Sequence, residues 1–238
     1  MNKHTREQIS KIPGWLTRRE GEFLMHAARF VNRLPGVAVE IGSFMGKSTV
    51  WIASGSDHVY AIDPHKGEFS GGKTGPTRGE FIKNLEAAGV KHRVTPIVKT
   101  SQTAAASWNK PVSFLFIDGL HDYDHALQDF SLWSKFLIEG GIVAMHDAFC
   151  GWDGAGEVAL RHIVYNQQFT YIGVAGSIVF GIKGKPSIIT RIFRWPTELL
   201  IELSEAIYSA PWISKDIAFF LVHKFLKLFL VNRFTLHT

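Results

Sequence analysis

The alternation of short apolar runs with helical stretches constrains the fold of this 238-residue chain more than any other feature. Such runs are typical of strands that are buried on both faces, as in a parallel sheet covered by helices. The pattern therefore predicts an α/β fold with a mostly parallel sheet and helices on both faces. Five predicted strands precede helical or turn-rich stretches, at 37–41, 58–62, 94–98, 112–117 and 142–145.

Three local patterns add detail to this fold. Runs at 169–173 and 177–182 flank a glycine-containing turn and predict an antiparallel closing hairpin. Thr17 and Glu20 have the spacing of a capping box at the start of a helix. The apolar spacing over 124–137 predicts another helix, which we expect Gly140 and Gly141 to terminate.

Composition limits the class of protein. With 46% hydrophobic and 20% charged residues, the chain is not intrinsically disordered. Its single cysteine, Cys150, excludes an internal disulfide and favours a reducing compartment. Residues 1–19 lack the apolar core of a signal peptide, so we expect a cytoplasmic protein. The net charge is +5 with scattered basic residues, and we expect no nucleic-acid partner.

A glycine-containing loop, 40–49 (EIGSFMGKST), lies where a predicted strand ends and a helix begins. Its tail resembles a phosphate-binding loop, but that motif needs four residues between its glycines, and Gly42 and Gly46 enclose three. A P-loop-like nucleotide phosphohydrolase therefore remains only as an alternative. The dinucleotide fingerprint also fails, because Phe44 and Lys47 occupy the places of its second and third glycines.

An acidic residue follows this loop at a suggestive distance. Asp63 lies 21 residues after Gly42, at the end of the next predicted strand. Nucleoside sites of α/β proteins place the carboxylate that binds the ribose hydroxyls there. The alternative is a glycine turn followed by an ordinary strand-ending aspartate.

Acidic and imidazole side chains follow two further predicted strands. Asp118 and His121 come after the strand 112–117, and His146 and Asp147 come after the strand 142–145. Because neighbouring parallel strands end at the same edge of a sheet, these groups should meet in its ligand crevice. Asp118 and Asp147 could share a divalent cation there. The alternative for His121 is a purely local hydrogen-bonding role.

Taken together, these features resemble a known family. From residue 16 to about 183 the chain resembles the class I S-adenosylmethionine-dependent methyltransferases, and within them the metal-dependent O-methyltransferase branch related to macrocin O-methyltransferase and cephalosporin hydroxylase-like proteins. The segments that carry the likeness are 16–21, 40–49, 61–63, 117–123 with Asp129 and Trp133, and 140–147. The resemblance implies a Rossmann-like, seven-stranded sheet with a reversed last strand.

The resemblance also implies site residues. His121 would be the general base, and Asp118 would be both a catalytic residue and a cofactor-binding residue. The implied metal ligands are Asp118, His146 and Asp147, for a divalent cation such as Mg²⁺ or Mn²⁺. The implied positions for S-adenosylmethionine are Glu40, Gly42, Ser43, Gly46, Asp63, Ser101 and Asp118.

One position departs from the family pattern. His146 stands where the metal-dependent relatives have an acidic residue. Imidazole suits manganese, iron or zinc better than magnesium. Alternatively, His146 points into the sheet and is no ligand.

Two segments fall outside these motifs. The glycine-rich loop 64–79 is long enough to predict either a substrate cover or a solvated insertion. We divide the chain into a methyltransferase domain, 1–185, and a helical, amphipathic C-terminal extension, 186–238. In the extension, Lys224 and Lys227 interrupt a very apolar run, which predicts peripheral contact with the inner membrane face or a homo-oligomer interface.

The sequence thus predicts a metal-assisted O-methyltransferase that methylates a hydroxyl of a small acceptor, with a sugar or glycosylated metabolite favoured by the resemblance. A non-catalytic, cofactor-binding scaffold at a membrane is the second alternative.

Overall fold

A seven-stranded mixed sheet forms the centre of the fold in the computed structural model. The structure describes residues 1–69, 72–73, 75–149 and 153–185, together with isolated positions at 187, 188, 195, 198, 199, 202, 203 and 206. The strands are β1 (Val37–Ile41), β2 (Val59–Ile62), β5 (Val94–Ile97), β6 (Val112–Ile117), β7 (Leu137–Met145), β8 (Phe169–Ala175) and β9 (Ile178–Lys183), and two short strands, β3 (Glu68–Phe69) and β4 (Gly72–Lys73), form a separate pair.

The sheet has the order β5-β2-β1-β6-β7-β9-β8. Its first five strands are parallel, whereas β9 is antiparallel to both β7 and β8. This confirms the predicted Rossmann-like sheet with its reversed last strand and closing hairpin.

Helices cover both faces of this sheet. They are α1 (Lys3–Lys11), α2 (Arg18–Val31), α3 (Lys47–Ala53), α4 (Arg78–Ala87), α5 (Ser101–Ala105), α6 (Tyr123–Trp133) and α7 (Asp153–Ala159). Alternate residues of β6 show why two layers are needed, since Leu115 packs against α6 and α7 and Phe116 packs on the opposite side with α2 and α3. All six residues of β6 are buried, as expected for a central parallel strand.

The strand order reverses between the parallel strands β1 and β6, because β2 and β5 extend the sheet on one side of β1 and the later strands extend it on the other. Ligand crevices form at such points. The first glycine of the loop 40–49 lies there. Gly42 has a φ of +84°, and a Cβ on it would lie 2.0 Å from the carbonyl oxygen of Asp118. Only glycine allows the ends of β1 and β6 to come this close.

The helix predicted over 124–137 differs from the structure at its end. The α-helix α6 stops at Trp133, and a 3₁₀ turn, Ser134–Phe136, leads directly into β7. Gly140 and Gly141 therefore lie within a strand and do not terminate a helix. Gly140 has a φ of +78°, so glycine is required there by an irregular strand backbone rather than by a helix cap.

Several predictions fall wholly or partly outside the described residues. Part of the loop 64–79 forms the β3–β4 pair, while its positions 70, 71 and 74 lie outside the description. Cys150 and most of the extension 186–238 also lie outside it, so the division at residue 185 stays a prediction. Within the described part of the chain, no helix is long and apolar enough to cross a membrane.

We expect Gly42→Ala to destabilise the protein strongly. The new Cβ would collide with the backbone of Asp118 in addition to straining a left-handed conformation. Gly89→Ala is the matched control, because Gly89 has a φ of +72° and no described atom lies within 4 Å of a Cβ placed on it. Urea unfolding should show a loss of about 1 kcal/mol for Gly89→Ala and of more than about 3 kcal/mol for Gly42→Ala. Equal losses would mean that the approach of the two strands is not tight.

Candidate active site

A cavity of about 410 Å³ opens at the carboxyl ends of the central strands. Its wall contains five of the seven positions predicted to bind the cofactor, namely Gly42, Ser43, Asp63, Ser101 and Asp118. Glu40 and Gly46 do not line it, so direct contact of these two with a ligand stays a prediction. The cavity is large enough for a ligand of drug-like size.

Glu40 lies beneath the glycine loop and is 0% exposed. One carboxyl oxygen accepts a hydrogen bond from the Thr49 hydroxyl, whereas Oε1 has no hydrogen-bond partner among the residues that the structure describes. Burial raises the pKa of Glu40 to about 8, even though hydroxyl groups of α3 oppose the shift. The side chain is therefore a neutral carboxylic acid at neutral pH.

Asp63, which follows β2, joins the glycine loop to the segment after β2. Its Oδ2 accepts a hydrogen bond of 2.8 Å from the backbone N–H of Phe44, and its Oδ1 accepts one of 2.6 Å from the N–H of His65. Both donors have left-handed backbone conformations. Asp63 thus holds two strained loops together while still facing the cavity.

Ser101 contacts both Trp133 and Asp129, two residues that belong to the segments carrying the family likeness. Its hydroxyl oxygen accepts a hydrogen bond of 2.9 Å from Trp133 Nε1. Burial raises the pKa of Asp129 to about 6, while a hydrogen bond with Ser101 opposes the shift. Ser101 and Asp129 both line the cavity. The cofactor position predicted at Ser101 is therefore part of a polar wall, with the buried Trp133 in contact with it.

Four predicted catalytic or metal-binding side chains converge at the ends of β6 and β7. His146 Nδ1 lies 3.2 Å from Asp118 Oδ1 and 3.3 Å from Asp147 Oδ2. His121 Nε2 lies 3.4 Å from Asp118 Oδ1, and His121 Nδ1 lies 3.5 Å from Asp147 Oδ2. The structure therefore brings together all four residues that the sequence had placed on two separate strand ends.

The electrostatics of this cluster depend on His146. Burial would lower its pKa, but Asp118, Asp147 and Glu20 raise the pKa well above the usual value. The same contacts lower the pKa of Asp118. Burial would raise the pKa of Asp118, but His146 and His121 hold it below its usual range. Without a cation, His146 is therefore an imidazolium among carboxylates.

The donor set fits a divalent cation. Asp118, His121 and His146 each offer one ligand atom, and these atoms lie within 4.8 Å of one another. Neither ring nitrogen of His146 makes a hydrogen bond with the described residues, although two carboxylate oxygens lie within 3.3 Å of Nδ1. Short distances without hydrogen-bond geometry are expected of atoms that would coordinate the same metal ion. The prediction had omitted His121 from the ligands, and it had not decided whether His146 points towards this site.

Three further residues near the site had no functional role in the sequence analysis. Glu20 Oε2 lies 3.8 Å from His146 Nε2. The sequence analysis had assigned Glu20 only to the capping box of α2. Trp15 is 65% exposed at the cavity rim, with its ring 5.7 Å from that of Phe44. Lys47 donates a hydrogen bond of 2.8 Å to the carbonyl of Gly14, which attaches the segment before α2 to the glycine loop.

Comparison with known proteins agrees with this geometry. Residues 39–148 match a protein-family model described as a methyltransferase domain. This match includes the glycine loop, Asp63, Asp118, His121, His146 and Asp147.

Solved structures show the same fold. An O-methyltransferase from Bacillus cereus in complex with SAH is 18% identical, with a TM-score of 0.56 over 77% of this chain and 92% of that chain. The O-methyltransferase TomG from Streptomyces achromogenes in complex with SAM is 15% identical, with a TM-score of 0.56 over 77% and 91%. A putative O-methyltransferase from Klebsiella pneumoniae is 14% identical, with a TM-score of 0.58 over 77% and 91%.

The family match supports the predicted S-adenosylmethionine-dependent methyltransferase, and the solved structures show that this chain shares the methyltransferase fold. The predicted enzyme class is thereby confirmed, whereas the individual site residues stay predictions.

The buried Glu40 carboxyl should make stability depend on pH. Its pKa is about 8 in the folded protein and near 4.5 in an unfolded chain, so folding retains a proton between these values. Its contribution to stability is therefore fully present below about pH 4.5 and is lost as the pH rises through 8. Relative to Glu40→Gln, the wild type should lose on the order of a few kcal/mol of unfolding free energy across this range.

Urea unfolding of both proteins at several pH values measures this difference. Glu80→Gln is the control, since Glu80 is exposed on α4 and should leave the pH profile unchanged. Parallel profiles for the wild type and Glu40→Gln would contradict a neutral Glu40.

Proposed function

We propose that the chain is an O-methyltransferase that transfers the methyl group of S-adenosylmethionine to a hydroxyl of a small acceptor with the help of a divalent cation. The observation that carries this proposal is that one cavity contains both the Asp63 wall and the Asp118–His121 wall. A donor and a reactive cluster can therefore occupy the same cleft.

The cofactor proposal rests on the match to a methyltransferase domain and on the cavity. Two of the similar solved structures hold SAH or SAM. In this chain, Gly42 and Ser43 would face the methionine end, Asp63 the ribose hydroxyls and Ser101 the adenine. Each of these four residues lines the cavity. A carboxylate that faces paired hydroxyls can accept a hydrogen bond from each.

The cation would be held by Asp118, His146 and Asp147, the ligands that the resemblance implies. Asp118 lines the cavity, and His146 Nδ1 lies between the carboxylates of Asp118 and Asp147. His121, the other nitrogen donor beside Asp118, is assigned to proton transfer instead. A bound divalent cation lowers the pKa of a hydroxyl that coordinates it. The mixed set of carboxylates and imidazole favours Mn²⁺ or another borderline ion over Mg²⁺. The short distances from His146 Nδ1 to both carboxylates, without hydrogen-bond geometry, support this assignment.

His121 is the proposed general base. It lines the cavity, whereas His146 does not, so an acceptor hydroxyl can reach it. The imidazole takes the hydroxyl proton while the oxygen attacks the methyl carbon. The carbon–sulfur bond breaks, and the sulfur keeps its electron pair, which gives S-adenosylhomocysteine and a methyl ether. Alignment in the cavity supplies most of the remaining rate enhancement.

A sugar or glycosylated metabolite is the proposed acceptor class. The resemblance to the macrocin O-methyltransferase branch is the main support for it. The exposed Trp15 ring next to Phe44 adds a flat apolar surface at the cavity rim. One face of a sugar ring can pack against such a surface while its hydroxyls remain hydrogen-bonded.

The two alternatives are not favoured. A phosphohydrolase would need Lys47 to reach a nucleotide phosphate, but its ammonium donates to the carbonyl of Gly14. A scaffold without catalysis would not need four titratable side chains gathered beside the cavity.

We expect Asp63→Asn to weaken binding of S-adenosylhomocysteine by about tenfold or more, because hydrogen bonds to the ribose hydroxyls are lost. Calorimetry should also be run with an analogue that lacks both hydroxyls. The wild type should lose affinity for the analogue, whereas Asp63→Asn should bind both ligands with similar affinity.

Asp57→Asn is the control for this titration, since Asp57 is exposed after α3. A variant that still distinguishes the two ligands as strongly as the wild type would contradict ribose recognition by Asp63.

We expect His121→Asn to lower kcat by about 10² to 10⁴, as is typical of a lost general base. Binding of Mn²⁺ should change by less than about threefold, in contrast to a loss of tenfold or more in Asp118→Asn. Turnover assays and Mn²⁺ titrations monitored by electron paramagnetic resonance measure the two effects.

The exposed His92→Asn serves as the control. A loss of Mn²⁺ affinity in His121→Asn as large as that in Asp118→Asn would make His121 a ligand and not the base. Full turnover after chelation of divalent cations, with S-adenosylhomocysteine still bound normally, would remove the cation from the proposal.

A further inference from the structure

We propose that Glu20 is a positioning residue for the proposed cation site, acting on His146 directly and on Asp147 through Ser177. The inference rests on the proposed function, because it concerns the same cation. Glu20 itself is not among the described residues that line the cavity.

Glu20 makes more contacts than a helix cap needs. It lies at the third position of α2 and is only 3% exposed. Its Oε2 accepts hydrogen bonds from the backbone N–H of Thr17 at 2.8 Å and from the Thr17 hydroxyl at 2.7 Å. This half of the carboxylate completes the capping box. The other oxygen is directed at a different part of the fold.

Glu20 Oε1 holds the turn between β8 and β9. It accepts hydrogen bonds from the Ser177 N–H at 2.7 Å and from the Ser177 hydroxyl at 2.9 Å. A Cβ on Gly176 would lie 2.4 Å from Glu20 Oε1, so the turn can approach the carboxylate only because glycine stands there. A residue 157 positions away in sequence is thereby fixed to the start of α2.

Ser177 transmits this contact to the end of β7. Its hydroxyl accepts a hydrogen bond of 3.3 Å from the Asp147 N–H. Its carbonyl accepts two hydrogen bonds of 3.0 Å, from the N–H groups of Ala148 and Phe149. Asp147 has a φ of +49°, which is unfavourable for a residue other than glycine and needs support from its surroundings. Glu20 and Ser177 supply that support.

The same carboxylate also faces His146. Glu20 Oε2 lies 3.8 Å from His146 Nε2, whereas Asp118 and Asp147 approach the other ring nitrogen, Nδ1. A carboxylate near one ring nitrogen favours the proton on that nitrogen and leaves the lone pair on the other nitrogen for a metal. Nδ1 is the nitrogen that faces both acids. At 3.8 Å this contact is electrostatic and not a hydrogen bond, and it favours the tautomer that leaves the Nδ1 lone pair to the cation.

The test compares Glu20→Gln with wild type in the full-length protein. Both carboxylate oxygens of Glu20 accept hydrogen bonds from backbone N–H groups. The NH₂ group of a Gln side chain cannot accept a hydrogen bond, so one of these two contacts would be lost. We expect Mn²⁺ affinity to fall by about 10- to 100-fold, as for other residues that orient metal-binding histidines. The visible absorption of bound Co²⁺ should also change, whereas S-adenosylhomocysteine affinity should stay within about threefold of wild type.

One control variant and one second test variant make this result specific. Glu22→Gln lies on the same helix with its carboxylate paired to Arg18 at the surface, and should change neither affinity. Ser177→Ala removes the hydroxyl but keeps the N–H that Glu20 binds. It should lower Mn²⁺ affinity by about three- to tenfold, and it carries the test if Glu20→Gln does not fold.

Different outcomes overturn different claims. Unchanged Mn²⁺ affinity in the Glu20 or Ser177 variant would refute the positioning role. A parallel loss of Mn²⁺ and S-adenosylhomocysteine affinity would also refute it, because Glu20 would then only stabilise the fold. Wild-type protein that binds S-adenosylhomocysteine but no Mn²⁺ would refute the proposed cation itself.

Discussion

The close approach of the β1 and β6 ends determines the rest of the site. Gly42 stands where any side chain would collide with the carbonyl of Asp118, so the glycine loop and the acidic strand end share one wall of the cavity. The backbone pairing continues beyond the strands, since the Asp118 N–H donates to the Ile41 carbonyl and the His146 N–H to the Ile117 carbonyl. A regular parallel sheet thus fixes the spacing of the reactive groups.

Charge is distributed unevenly around this wall. Glu40 is buried beside Asp63 and Asp118 and is neutral, since burial raises its pKa to about 8. Glu20 is also buried, but contacts with His146 and Ser177 overcome the effect of burial and lower its pKa to about 2. Two buried glutamates therefore have opposite charge states. The ionised one faces the imidazole cluster, and the neutral one lies beneath the loop proposed to hold the cofactor.

Sequence patterns predicted the sheet, because buried parallel strands carry a periodicity that is visible in one chain. They also predicted that Asp118, His121, His146 and Asp147 would meet, because parallel strands end at one edge. The sequence patterns were misleading or incomplete where a local motif already accounted for a residue. Glu20 fitted a capping box, and its contacts with Ser177 and His146 depend on long-range packing. Gly140 and Gly141 resembled a helix stop, although the pairing of β7 keeps them in a strand.

The central claim is that the methyl donor and the cation occupy adjacent positions in one cleft. Nuclear magnetic resonance of S-adenosylmethionine with a ¹³C-labelled methyl group tests it directly, because bound Mn²⁺ broadens the signals of nearby nuclei. With wild-type protein and Mn²⁺, the methyl signal should broaden strongly, and Asp118→Asn should abolish the broadening at Mn²⁺ concentrations that saturate the wild type. A methyl signal that stays sharp while both the cofactor and Mn²⁺ are bound would contradict the account.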